Sequence, residues 1–252
     1  MTHIFKVLND GRYKSVDFDD ICEGQVCFLI GGAPSLKEEN LDLLRGPGIA
    51  TMAINNAATI VKPTFWIGSD KPRCYAKQII YDPSIIKFIN YGKRDVEVDG
   101  VWWSKYPNTY AYSSTDDFNV GNFLHRSRHV VWWKNTWFAA IQLLYRLGFR
   151  KVFTIGADFQ VDKNSQYAWE TDLEEQYINK NKLLYDKTVK TMEELDPHFI
   201  EHGFHILNCS KTSLLRNKFG YTPLEQAIAF ATAHIPQDMT IDLPHSHAPN
   251  EV

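Results

Sequence analysis

The chain has 252 residues, a formal net charge of −3 and 44% hydrophobic residues, which fits one large globular domain or two small ones and excludes a disordered or collagen-like chain. No run reaches the uninterrupted apolar length of a membrane span, and residues 1–15 lack the apolar core of a signal peptide, so a cytoplasmic protein without membrane contact is expected. The four cysteines, Cys22, Cys27, Cys74 and Cys209, form no CxxC pair and are expected as reduced, buried thiols.

In chain order, residues 4–8 suggest an edge strand. Residues 26–30 are an apolar run that stops at Gly31 and Gly32; Ala33, Pro34 and Ser35 then lead into a helix over 37–44, ended by Gly46 and Pro47. Strands are expected at 49–54, ending in Asn55 and Asn56, and at 64–68, ending in Ser69, Asp70 and Lys71. Residues 85–91 suggest another strand, 101–112 are rich in Trp and Tyr, and 113–122 read as a polar loop. A helix at 136–147 closes on Gly148, and a strand at 152–155 ends in Gly156, Ala157 and Asp158. A polar loop, a helix over 174–194, a strand at 205–208 running into Ser210, Lys211, Thr212 and Ser213, and a helix at 223–233 complete the pattern. Apolar runs that each end in small or polar residues predict an α/β fold: a Rossmann-like, mainly parallel sheet with helices on both faces and ligands beyond the strand carboxyl ends. One domain is expected over 1–235, with a loose tail over 236–252.

The glycine turn admits two readings: an ordinary strand-to-helix turn, or a phosphate cradle in which the missing Cβ atoms and free amides at a helix start receive an anion. Asn55 and Asn56 suit a base or ribose, or a left-handed turn. Ser210, Thr212 and Ser213 suit a second phosphate or a simple N-cap. Asp70 and Asp158 are candidates for a general base, with capping the alternative for Asp158. There is no GxxxxGK[ST] loop and no GxSxG elbow, and His198, His202 and His205 show no defensible metal-ligand spacing. No metal is demanded.

Residues 71–151 carry a local charge of +7 against −10 for the rest. Lys71, Arg73, Arg126, Arg128 and Lys134 supply charge there and Trp132 and Trp133 supply flat faces, a mixture suited to nucleic acid, with neutralisation by neighbours as the alternative.

Taken together, Gly31 to Ser35 followed by Leu36 resembles the Gly-x-Gly-Pro-Ser-Leu turn of bacterial sialyltransferases that use CMP-sialic acid. It also resembles that of the motility-associated glycosyltransferase and hydroxymethylpterin pyrophosphokinase-like superfamily. Asn55 and Asn56, the Gly-Ala-Asp-Phe strand end at Gly156, the Ser-Gln-Tyr-Ala-Trp segment around Tyr167, and the Asn-Cys-Ser-Lys-Thr-Ser-Leu-Leu element at 208–215 follow in the same order. The resemblance implies a nucleotide-sugar donor, UDP- or CMP-linked, and a role for Tyr167 in neutralising the leaving phosphate. Gln160 stands where that family carries a second tyrosine, and no histidine stands near 178–180, where its catalytic histidine falls. The base is therefore expected to be Asp70 first, Asp158 second, and Asp116 or Asp117 third. The expected acceptor is a hydroxyl, in particular that of hydroxymethylated bases in phage-type DNA, which would have to be exposed or flipped. The alternatives are a Mg-ATP-dependent pyrophosphokinase and a non-enzymatic nucleic-acid-binding module.

Overall fold

The computed structural model describes residues 4–8, 10–125, 129–133, 135–161, 163, 166–169 and 173–235; the expected tail at 236–252 lies outside the described residues. Its strands are β1 (Ile4–Val7), β2 (Tyr13–Ser15), β3 (Val26–Ile30), β4 (Ala50–Ile54), β5 (Phe65–Gly68), β6 (Ile86–Asn90), β7 (Glu97–Val98), β8 (Val101–Trp102), β9 (Thr109–Tyr112), β10 (Ser114–Thr115), β11 (Val130–Val131), β12 (Lys151–Ile155) and β13 (His205–Asn208). Its α-helices are α1 (Lys77–Tyr81), α2 (Thr136–Arg146), α3 (Glu175–Glu201) and α4 (Leu224–Thr232).

Nine strands form one sheet in the order β13-β12-β3-β4-β5-β6-β9-β1-β2. From β13 to β9 every pairing is parallel. The amino-terminal β1–β2 hairpin then closes one side antiparallel, so β2, not β1, is the edge. Apolar residues alternate between two buried faces, as the pleat requires. Leu29, Met52, Ile67 and Phe88 join a core with α2 and α3. Phe28, Ala53, Trp66 and Ile155 join a second core with α4 and Ile79 and Ile80 of α1. The expected α/β sheet with helices on both faces is the observed one. Among the described residues no helix is long and apolar enough to cross a membrane.

Three expectations are corrected. The helix over 37–44 is two 3₁₀ turns, Pro34–Glu38 and Leu41–Arg45, because Glu39 is extended between them; a pair of short turns sums little helix dipole. The long helix does not stop at 194 but runs to Glu201 with Pro197 inside. Proline forfeits one backbone bond there, and burial of His198 and Phe199 offsets the loss. Cys22, Cys27 and Cys209 are buried free thiols as expected, but Cys74 is exposed.

Candidate functional site

The chain leaves β3 toward β4, β5 and β6, then returns to place β12 on the other side of β3. The carboxyl ends of β3 and β12 are thus the switch point of the sheet, where connections depart in opposite directions and a crevice opens. A cavity of about 610 Å³ lies there. It brings together Gly31, Gly32 and Ala33 after β3, Asn55 and Asn56 after β4, Asp70 after β5, and Gly156 and Asp158 after β12, with Tyr167 from the following loop.

The glycine turn is closed mainly by protein. The Gly31 amide donates to Ile155 O (2.8 Å) and the Ala33 amide to Gly156 O (2.9 Å). The Ser35 amide donates to Asp158 Oδ2 (3.3 Å), and Pro34 has no N–H to offer. A Cβ at Gly31 would overlap the Gly156 carbonyl, and one at Gly32 would overlap the Trp169 ring. The glycines here admit a neighbouring strand end and an indole. Of the expected amide cradle, Gly31, Ala33 and Ser35 are already committed.

Asp158 is 4% exposed and serves as a latch. Ser35 Oγ donates to its Oδ1 at 2.5 Å, and Ser35 Oγ in turn lies 3.3 Å from Ser210 Oγ. Ser213 Oγ donates to Ala157 O (2.6 Å), and the Leu214 amide donates to Asp158 O (3.0 Å). Burial raises the Asp158 carboxyl above its ordinary range, and the Ser35 donations pull it back. Its side-chain bonds run to Ser35 in the 3₁₀ turn after β3, a tertiary tie between two strand ends rather than a cap on the turn that follows Asp158. Ser35, Ser210 and Ser213 are buried and do not line the large cavity, nor do Pro34, Lys211 and Thr212. Thr212 and Ser213 line a separate hollow of about 330 Å³, which Gln160 shares.

Asn55 has φ +54°. Its carbonyl accepts the Trp66 indole N–H at 2.7 Å, and its Oδ1 has no hydrogen-bond partner among the described residues. Asn56 is occupied: its Nδ2 donates to Cys74 O and its Oδ1 accepts the Ala76 amide, both at 3.0 Å. Asn56 thereby pins the loop carrying Asp70, whose amide donates to Tyr75 Oη at 2.8 Å. Asp70 is exposed at the cavity. Ser69, expected beside it, is instead buried with its Oγ 2.7 Å from Tyr112 Oη. Asp116 and Asp117 are exposed but do not line the cavity.

The opposite wall is aromatic. Tyr167 and Trp169 stack with centroids 4.8 Å apart and planes at 3°, and Asn181 Nδ2 donates to Tyr167 Oη at 3.3 Å. Tyr177, Asn181, Leu184 and Tyr185 reach the cavity from α3. Their spacing is one helical face, a signal present in the sequence and missed there. Burial pushes the Tyr185 hydroxyl upward, so it stays protonated and able to donate. Asn135 also lines the cavity; it caps α2 through the Trp137 amide (3.0 Å) and donates to Thr188 Oγ1 (2.8 Å).

The two tryptophans expected to offer stacking faces in the basic middle of the chain are each partly covered. Trp132 and Trp133 are partly buried against the core, and Trp133 lies on Phe118 with planes at 16° and centroids 4.6 Å apart. Lys187 Nζ stands 3.9 Å above the Trp133 ring centroid. Arg126, Arg128 and Lys134 lie outside the described residues. Lys71 and Arg73 are exposed on the loop that carries Asp70.

No family model and no curated protein sequence matches this chain. Solved structures with a similar chain path include the sialyltransferase CstII from Campylobacter jejuni with a substrate analogue, cytidine-5'-monophosphate. It shares 14% identity at a TM-score of 0.47, over 80% of this chain and 86% of that one. The sialyltransferase CST-II with a trisaccharide acceptor and CMP shares 16% identity at 0.47, over 79% and 86%. The MAf glycosyltransferase from Magnetospirillum magneticum AMB-1 shares 9% identity at 0.48, over 90% of this chain and 36% of that protein, so the chain spans about a third of its length. Likenesses this distant carry no inference about activity.

Proposed function

We propose that the chain is a glycosyltransferase acting from a nucleotide-sugar donor, CMP- or UDP-linked, bound in the switch-point cavity. The observation that carries this reading is the meeting of the strand-end motifs of β3, β4, β5 and β12 with Tyr167 around one cavity. Their order along the chain resembles that of the nucleotide-sugar enzymes above. Asn55, with its unpaired Oδ1, would accept from a donor group of the nucleotide. The Tyr167–Trp169 face would stack on the sugar or acceptor, and the Tyr167 and Tyr185 hydroxyls would donate to the departing phosphate.

Asp70 is the base in this reading, because it is the carboxylate at the cavity that is not consumed by a latch. It would take the proton of the acceptor hydroxyl as that oxygen attacks the anomeric carbon. The bond from that carbon to the phosphate oxygen breaks, its electron pair leaves with the nucleotide, and the configuration inverts. The acceptor is a hydroxyl compound; with Trp132 and Trp133 partly buried against the core, nothing among the described residues favours DNA over other hydroxyl acceptors.

The test is a thermal-shift panel of CMP, UDP, GDP and their sugar conjugates, followed by product analysis with the best donor. At least one nucleotide should stabilise the chain. Asp70→Asn should keep that shift while slowing transfer by about 10²- to 10⁴-fold. Absence of a shift with every nucleotide would reject the reading.

A further inference from the structure

Away from the cavity, the carboxyl end of α3 gathers His198, Glu201 and His202, with one ligand atom of each within 4.8 Å of the others. We propose that this cluster is a binding site for a divalent transition-metal ion, zinc by its ligand chemistry: two imidazoles, one carboxylate and a water in the fourth position. The proposal does not rest on the glycosyltransferase reading, since none of the three residues lines the cavity.

The sequence supplies the spacing. Positions i, i+3 and i+4 share one helix face, provided the helix continues past Pro197, as it does. The protonation states then follow from local contacts. His202 Nδ1 lies 2.9 Å from His198 O. A carbonyl can only accept, so Nδ1 carries a proton, which leaves Nε2 as the nitrogen that offers a lone pair in the neutral ring. A ring N–H tied to a backbone carbonyl is how metal-binding histidines are oriented.

His198 adds an independent sign. It is 8% exposed, and its Nε2 has no hydrogen-bond partner among the described residues. A buried ring nitrogen without a partner is costly, and a cation satisfies it. Glu201 Oε2 stands 4.0 Å from His198 Nδ1 on a side chain that is 76% exposed. That Nδ1 is the other nitrogen of the ring; the ligand atoms themselves lie within 4.8 Å of one another, against roughly 3.3 Å in a tetrahedral zinc site, so contraction falls to this exposed carboxylate while His198 stays fixed. His125, whose ring centroid is 6.4 Å from that of His202, adds a third imidazole at the edge. Bound metal would pin the end of α3.

Zinc chloride titrated calorimetrically into the full chain tests the site, with cobalt absorption reporting tetrahedral geometry. The sequence also holds His245 and His247, so a His245→Ala/His247→Ala variant removes any contribution from them. One equivalent should bind, survive in that double variant, and weaken by at least about tenfold in His202→Gln and in Glu201→Ala. Both single changes fall on residues that are not fully buried, and circular dichroism would verify that the helix persists. Absence of saturable zinc binding, or an isotherm that neither change alters, would overturn the proposal. The histidines would then serve only the negative end of the helix dipole.

Discussion

Ser35 Oγ donates to Asp158 Oδ1 at 2.5 Å across the switch point of the sheet, tying the turn after β3 to the turn after β12. Both residues are 4% exposed, so water compensates little for the loss of this bond. Ser35→Ala should cost about 1.5–3 kcal/mol, the range for a hydrogen bond to an ionisable partner. A double-mutant cycle with Asp158→Ala should return a coupling energy of the same sign. Additive denaturation midpoints would show that the two turns are held by something else. The pH dependence has a definite sign. Burial raises the folded carboxyl, so the folded chain keeps a proton that the unfolded chain gives up from about pH 4. This residue therefore costs stability as pH rises through that range, and Asp158→Asn should flatten the dependence.

The two adjacent glycines should respond differently to the same substitution. A Cβ at Gly31 meets a backbone carbonyl, that of Gly156, whereas one at Gly32 meets the Trp169 ring. Backbone at a strand end cannot move without disturbing β12, but an indole can turn away. Gly31→Ala should therefore destabilise the fold by about 1–3 kcal/mol, as overpacking does. Gly32→Ala should leave the melting temperature nearly intact while separating Trp169 from Tyr167 and weakening ligand binding. Intrinsic fluorescence and nucleotide thermal shift would read the second effect; equal melting losses in both variants would contradict it.

Cys74 offers a direct probe of the cavity. It lines the cavity and is exposed. Burial pushes the Cys22 thiol up to about 11 and the Cys209 thiol up to about 12, and raises Cys27 as well. The thiolate is the reactive form, so a maleimide should label the folded chain at Cys74 first. A bound nucleotide should slow that labelling. Peptide mapping that finds early modification at Cys22, Cys27 or Cys209 would contradict the packing described above.

The strand ends were legible because apolar runs of four or five residues stop at Gly31, Asn55, Ser69 and Gly156, and a parallel sheet puts such stops on one edge. What each stop does there was not legible. Gly32 is matched to Trp169 and Ser35 to Asp158 only by tertiary contact, so a local motif reads the same whether its amides face a phosphate or a neighbouring turn. Trp132 and Trp133 likewise read as stacking faces until the packing of both against the core, and of Trp133 on Phe118, is seen. The His198, Glu201 and His202 cluster was hidden for a different reason. Ending the helix before Pro197 removes the i, i+4 relation, and the tertiary burial of His198 and Phe199 that accompanies its continuation past that proline is not a local signal.

Lys87 gives the chain a pH signature independent of the cavity. It is fully buried in β6, and its Nζ donates to Asp82 O at 2.6 Å and Ile85 O at 3.0 Å. Burial lowers its ammonium to about 8, with Asp82 opposing the shift. Below that value both folded and unfolded chains hold the proton. From about pH 8 to about 10.4 the folded chain releases a proton that the unfolded chain keeps, so stability rises with pH. The buried thiols act in the opposite sense above about pH 8.5, because the unfolded chain ionises them first. Comparing the parent chain with Lys87→Met cancels the thiols. The stability difference between the two should move in favour of the parent by up to roughly 3 kcal/mol across that window. Urea denaturation at pH 7.5, 8.5 and 9.5 would measure it. A difference that stays flat over the series would mean that the folded chain holds Lys87 in one protonation state throughout.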